Sequence, residues 1–172
     1  YVSTSTPPTG IRPEPNVLVR WCDVYSVSDQ ERPLVEGPFN PVQAQEFLGW
    51  RALVTDGMPI WDYALPNRTI PEVLADAVAG DARLFADNGV CEVTMESEFN
   101  HQPFYALNSF LMSKLYEDPS QDADRLVWTY CRAYGPAAER MFAAIQFLRT
   151  IIRDMDLRAS VDITAADHGV LA

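Results

Sequence analysis

The sequence predicts an α/β fold in which parallel strands alternate with helices. Three apolar, strand-like runs each end in acidic residues, at Asp23, at Asp62, and at Glu96 with Glu98. Helix-like segments separate these runs, and strands that alternate with helices favour a parallel sheet with crossover connections. Because parallel strands all end at one edge of a sheet, we expect these acids to meet where ligands bind in such folds.

The first half of the chain predicts two strands, a loop and a helix. Residues 1–5 predict the end of a strand, and the prolines that follow predict an irregular loop. Residues 17–22 are apolar except for Arg20, a pattern typical of a strand that is covered on both faces. Asn40 followed by Pro41 predicts a helix start, because the pair combines a capping residue with proline at the first helical position. We expect this helix to end near residue 53.

The second half of the chain predicts two further strands, each followed by a helix. Apolar residues recur at helical spacing in both helical segments, and Asn88-Gly89 is a common helix ending. Residues 121–153 predict one long helix, or two helices that are separated near Tyr134-Gly135-Pro136. We predict, in order, a strand at 58–63, a helix at about 71–88, a strand at 90–96 and a helix near 103–116.

Four parallel strands are half of the eight strands in a TIM-type (β/α)8 barrel. A half barrel has two unpaired strand edges and one uncovered sheet face, so we expect the isolated chain to be poorly stable or self-associated. The other half lies in missing sequence, or a second copy of the chain supplies it, or the four strands form a small open sheet. We divide the chain into a half barrel at 1–120, a helical segment at 121–153 packed on it, and a tail or linker at 154–172. The chain starts with Tyr1 rather than Met, which predicts a fragment.

Composition and motifs exclude several classes of function. The net charge of −11 and the pI near 4.5 disfavour nucleic acid and anionic membranes as partners. No run of 18 apolar residues is present to span a membrane. The sequence has no HExxH motif, no Cys/His cluster and no glycine-rich nucleotide motif, so we predict neither a metal nor a cofactor. A neutral sugar would not be repelled by this charge.

A longer pattern of residues carries a family resemblance. It comprises the runs PNVLVRWC and IWDY, Glu96 after NGV, and the segment ALNSFLMSKLYEDPSQDADRLVWTYCRAYGPAAE. Over residues 1 to about 153, the chain resembles a bacterial family of carbohydrate-active proteins, a domain of unknown function related in architecture to α-glucuronidases and β-N-acetylhexosaminidases. The chain departs from that pattern at Ala133, where members often have a second tyrosine, and at Ser97, where they often have a glycine.

The resemblance implies the C-terminal half of a glycosidase-like barrel and an extracellular or periplasmic protein that takes part in polysaccharide degradation. We interpret the chain as a glycoside-hydrolase-like domain that acts on or binds oligosaccharides, with part of the active site in missing sequence. In related glucuronidases the acid catalyst comes from an earlier strand, so this chain would hold only a base and binding groups. The alternative is a non-catalytic carbohydrate-binding or structural domain on the same fold, since fold does not determine function.

The strand-end acids are the candidate catalytic residues. Glycoside hydrolysis usually needs two carboxyl groups that flank the scissile bond, and Asp62 and Glu96 end adjacent predicted strands. The structural alternative is that Asp62 caps the following loop and that Glu96 pairs with Arg20 or another base. Acids and aromatic rings near the same edge are the candidate sugar contacts, with core packing as the alternative for the rings. These candidate substrate-binding residues are Trp21, Asp23, Tyr25, Trp61, Tyr63, Glu98 and His101.

Overall fold

The computed structural model describes residues 4–23, 32–36, 41–64, 71–97 and 103–154. Within them, three strands form one parallel sheet in the order β1-β2-β3. The strands are β1 at Trp21–Asp23, β2 at Ile60–Ala64 and β3 at Val93–Ser97. The predicted mixed α/β class and the parallel pairing of these strands are confirmed. The strand predicted at 1–5 falls mostly on residues 1–3, which lie outside the described residues, and residues 4 and 5 are not in a strand.

The helices follow the predicted order. Of the two alternatives for residues 121–153, the structure shows separate helices, because Gly135 has a φ of 56° and a ψ of −123°, which no helix accommodates. A 3₁₀ segment at Arg132–Ala137 contains this break. The α-helices are α1 at Pro41–Leu53, α2 at Ala75–Asp87, α3 at Tyr105–Glu117, α4 at Ala123–Cys131 and α5 at Ala138–Asp154.

The first strand is shorter than the sequence predicts. The prediction of strand at 17–22 is wrong for residues 17–20, which have no regular secondary structure. The backbone N–H of Val17 instead closes a turn onto the Glu14 carbonyl at 2.9 Å. The chain reaches β2 only at Trp21, whose N–H donates to the Pro59 carbonyl at 3.0 Å. None of the described residues pairs with 17–20 in a sheet, and apolar patterning alone does not make a strand without such a partner.

The described residues form two apolar clusters, one among the helices and one between the sheet and α1. The helical cluster is formed by the facing sides of α2, α3, α4 and α5. The sheet cluster is centred on Phe47 of α1, which is fully buried and meets both Trp21 and Phe85 with ring centroids 5.5 Å apart. Phe85 in turn stacks on Tyr116 of α3 at 6.3 Å. This series of rings places α3 against the same side of the sheet as α1.

The segment before β1 packs closely on α1. The indole Nε1 of Trp50 donates to the Ser5 carbonyl at 2.8 Å. The second contact is at Gly49 of α1, which has no side chain. A Cβ at this position would lie 2.6 Å from Cγ of Pro7. Glycine is therefore required at this position by the approach of the proline ring and not by backbone conformation.

A buried asparagine joins α3 to the start of α2. Asn108 is 3% exposed. Its Oδ1 accepts from the backbone N–H of Leu74 at 3.0 Å, and its Nδ2 donates to the Glu72 carbonyl at 3.1 Å. One amide side chain thus satisfies a donor and an acceptor at the beginning of α2, where helical backbone groups lack internal partners.

One arginine ties α5 to two other helices. Arg149 donates to Asp76 of α2 at 2.6 Å and also pairs with Asp124 of α4. Burial acts to raise the pKa of Asp124, but hydrogen bonds from Gln146 and Arg149 and the charge of the guanidinium outweigh it, so the pKa is lowered. The ionised form of Asp124 is the one that this contact stabilises.

Candidate functional site

The two faces of the sheet differ in what covers them. Side chains alternate between faces along a strand, and residues paired across the ladder share a face. Trp21 pairs with Ile60, and Ile60 pairs with Val93. All three side chains belong to the sheet cluster. Cys22, Trp61 and Thr94 form the next row and belong to neither apolar cluster. We call this second side, with Arg20, Glu92 and Glu96, the polar face.

A tryptophan and a glutamate meet at the C-terminal end of the polar face. The indole Nε1 of Trp61 on β2 donates to Oε2 of Glu96 on β3 at 2.9 Å. The parallel register explains the contact, because it sets Trp61 opposite Thr94, and Glu96 stands two residues further along the same face. Glu96 is exposed and Trp61 is half-buried. Two of the predicted site residues therefore form one contact at the edge where we expected a site.

A second polar contact crosses the sheet nearer the N-terminal end of the same face. Arg20 donates through Nη1 to Oγ1 of Thr94 at 2.7 Å and through Nη2 to Oε1 of Glu92 at 2.8 Å. Thr94 also donates to Glu92 at 2.9 Å. The hydrogen bond from Thr94, followed by the hydrogen bond and charge of Arg20, lowers the pKa of Glu92. The guanidinium thus pairs with Glu92 and not with Glu96, the partner that the sequence suggested.

Asp62 lies on the opposite face from Glu96. It pairs with Met95 in the register, and Met95 packs against the helical cluster. Its Oδ2 accepts a hydrogen bond from the hydroxyl of Tyr116 on α3 at 2.6 Å. The expectation that Asp62 and Glu96 line one cleft is therefore not met. Asp62 lies in the middle of β2 and instead links this strand to α3.

The remaining predicted site residues fall into two groups. Trp21 is 5% exposed and its ring contacts Phe47, which places it in the core and away from a ligand surface. The backbones of Asp23 and Tyr63 lie in β1 and β2, whereas their side chains lie outside the described part of the structure. Three further candidates lie entirely outside the described residues; they are Tyr25, Glu98 and His101.

A surface cavity of about 190 Å³ lies at the other end of the sheet. It is lined by residues 13–19, which lead into β1, and by residues 54–57, which precede β2. None of the candidate residues lines it, so the cavity and the polar face are separate features. Among the described residues no group of three or more His, Cys, Asp and Glu side chains is placed to hold a metal ion, and none of their helices is long and apolar enough to cross a membrane.

The sequence analysis missed Glu92 and Thr94 as members of the polar face, and it gave Arg20 a different partner. The signal was present, because Glu92, Thr94 and Glu96 are spaced by two and must share one side of a strand. The same rule separates Trp61 from Asp62, which are adjacent in sequence and so face opposite ways. The ends of the predicted strands indicated the edge of the sheet. The alternation of side chains along each strand was needed to decide which face a side chain joins.

Comparison with protein families gives one match. The family model described as "Domain of unknown function (DUF4838)" matches residues 1–146. Comparisons with curated proteins and with solved structures found no match.

Proposed function

The chain belongs to the DUF4838 family, and we propose that it supplies a carbohydrate-binding face to a glycosidase-like barrel. In this proposal the three described strands are part of the C-terminal half of a TIM-type (β/α)8 barrel, and the polar face lines its interior. The protein acts in polysaccharide degradation outside the cytoplasm, as the resemblance to carbohydrate-active proteins implies. The other barrel half, or a second copy of the chain, completes the sheet.

The contact between Trp61 and Glu96 carries this proposal. It places a carboxylate near the C-terminal end of a parallel strand, on the side of the sheet that faces away from both apolar clusters of the described residues. In barrels of parallel strands, residues at this end form the active site. A carboxylate accepts hydrogen bonds from sugar hydroxyls, and bonds to a charged acceptor are about twice as strong as neutral ones. Glu96 is thus the group on which we place ligand contact or catalysis.

Hydrolysis would need a second carboxyl group on the same face. Asp62 faces the helices, and Glu92 is engaged by Arg20 and Thr94. In the proposed enzyme, the second acid therefore comes from the completing half of the barrel or from the strand-end segments outside the described residues. If no such acid is supplied, the same face binds an oligosaccharide without cleaving it. The commitment of Asp62 to Tyr116 is the observation that favours this second candidate.

The test is Glu96→Gln in the full-length protein. Calorimetric titrations and product assays use xylotetraose, chitotetraose and an aldotetraouronic acid as probes. We expect the variant to abolish turnover, or to weaken binding about ten- to a hundredfold, the factor for a hydrogen bond to a charged group. The melting temperature should stay nearly unchanged, because the amide keeps the shape of the side chain.

Glu117→Gln is the matched control, because Glu117 is an exposed glutamate on α3 that pairs with Lys114 at 3.3 Å. It should bind and turn over each probe as the unmodified protein does. A Glu96→Gln protein that is less stable but binds normally would make Glu96 a structural residue. Normal stability together with normal binding and turnover would reject the proposed site. Binding without turnover by the unmodified protein would select the non-catalytic candidate.

A further inference from the structure

We infer that Trp61 is a positioning residue that acts on the ligand through Glu96. The inference rests on the proposed function and deepens it by assigning separate roles to the two side chains. Sequence reasoning treated Trp61 as a direct sugar contact, because aromatic rings often stack on sugars. The geometry points to a different use of the indole.

The indole has a single hydrogen-bond donor and no acceptor. In Trp61 this donor is committed to Oε2 of Glu96 at 2.9 Å. A sugar hydroxyl therefore finds no polar group on the ring with which to bond. The same bond fixes one oxygen of a carboxylate that is otherwise exposed, and an exposed glutamate loses several rotamers when it is held in one orientation.

The position of Trp61 within the sheet suits it to be a fixed support. It stands on the central strand, paired across the ladder with Cys22 on one side and Thr94 on the other. Thr94 is itself held by the guanidinium of Arg20 at 2.7 Å. The ring is half-buried in this row, whereas the carboxylate that it holds is exposed.

The remaining oxygen of Glu96 is the one presented to a ligand. Among the described residues no donor reaches Oε1, while Oε2 receives the indole N–H. Pre-orienting the carboxylate lowers the entropy that ligand binding must remove, which is how a group that never touches the ligand raises affinity. We therefore assign ligand contact to Oε1 of Glu96 and orientation of that atom to Trp61.

The experiment is a double-mutant cycle in the full-length protein with Trp61→Phe and Glu96→Gln. Trp61→Phe keeps an aromatic face and removes the N–H. We expect it to weaken binding of whichever of the three oligosaccharide probes binds by about tenfold, the loss of one bond to a charged group. The double variant should bind no more weakly than Glu96→Gln alone, because the two residues act as one unit.

Trp50→Phe is the matched control, since Trp50 also donates its indole N–H, to the Ser5 carbonyl at 2.8 Å, but lies on α1. It should leave affinity unchanged. A ligand-free readout accompanies the cycle. The Trp61 indole N–H resonance, identified among the four tryptophans by its loss in Trp61→Phe, should shift in Glu96→Gln and stay in place in Glu117→Gln.

The outcomes separate this inference from the proposed function. If Glu96→Gln leaves binding unchanged, or no probe binds, the proposed function fails and the indole resonance alone decides whether Trp61 holds Glu96. If Glu96→Gln weakens binding but Trp61→Phe does not, only the positioning role is overturned. If the two losses add in the double variant, Trp61 contacts the sugar independently and is a stacking platform after all. An indole resonance that does not respond to Glu96→Gln also overturns the inference.

Discussion

Gly49→Ala should destabilise the protein, although the same change in the interior of an ordinary helix is stabilising. Gly49 lies within α1, where alanine is favoured over glycine by about 1 kcal/mol. The new Cβ would lie 2.6 Å from Cγ of Pro7, well inside van der Waals contact. A proline ring does not rotate away, and overpacking of this kind costs about 1–3 kcal/mol. We therefore expect a net loss of about 1 kcal/mol in the free energy of unfolding.

The sign should reverse when the ring is removed. Pro7→Ala deletes Cγ and leaves Cβ, which would lie 3.6 Å from the added methyl group, an ordinary contact distance. In that background Gly49→Ala should stabilise by about 1 kcal/mol, which gives a coupling of about 2 kcal/mol between the two sites. Urea unfolding followed by circular dichroism measures all four proteins. Stabilisation by Gly49→Ala with Pro7 in place would show that the segment before β1 does not pack on α1.

Three further changes test the polar contacts. Tyr116→Phe and Asp62→Asn should each lower the unfolding free energy by about 1–2 kcal/mol and leave oligosaccharide affinity unchanged, and a loss of affinity in calorimetric titration would return Asp62 to the site. Asp124→Asn should lower the free energy of unfolding most above about pH 4. The pKa of Asp124 is lowered in the folded protein, so its contact with Arg149 stabilises the fold fully above the unfolded-state pKa. That stabilisation is lost as the pH falls through the folded-state pKa. Unfolding curves that give the same difference at pH 7 and pH 2.5 would contradict this. Asn108→Leu leaves a buried N–H and a buried carbonyl without their partner and should cost about 2–4 kcal/mol in urea unfolding, whereas a neutral result would mean that water replaces the amide.

Local signals in the sequence predicted the local structure well. The helix start at Pro41 and the helix ending at Asn88-Gly89 are confirmed, because proline, asparagine and glycine act through their own backbone preferences. The break at Gly135 is confirmed for the same reason. The extent of β1 was overestimated, since a strand ends where its partner ends and each partner residue is 39 positions away along the chain.

The candidate site was only partly predictable. The sequence predicted a site at the ends of adjacent strands, and the structure shows that Trp61 and Glu96 are in contact there. The partner of Arg20 was not predictable, because Glu92 and Glu96 both lie within the third strand-like run and only the register distinguishes them. The role of Asp62 depends on the distant Tyr116 of α3, whose hydroxyl no local pattern associates with that carboxylate.

The contact that Arg20 makes across the sheet also bears on how the chain folds. It joins residues 72 and 74 positions apart, and β2 must lie between β1 and β3 before the guanidinium can reach Glu92 and Thr94. A slip of one residue in β1 would turn Arg20 towards the apolar side of the sheet, where its charge would be unpaired. Burying an unpaired charge makes the misaligned sheet less stable. The contact of Arg20 therefore forms only when the three strands are assembled in the correct register, and it stabilises that register over a slipped one.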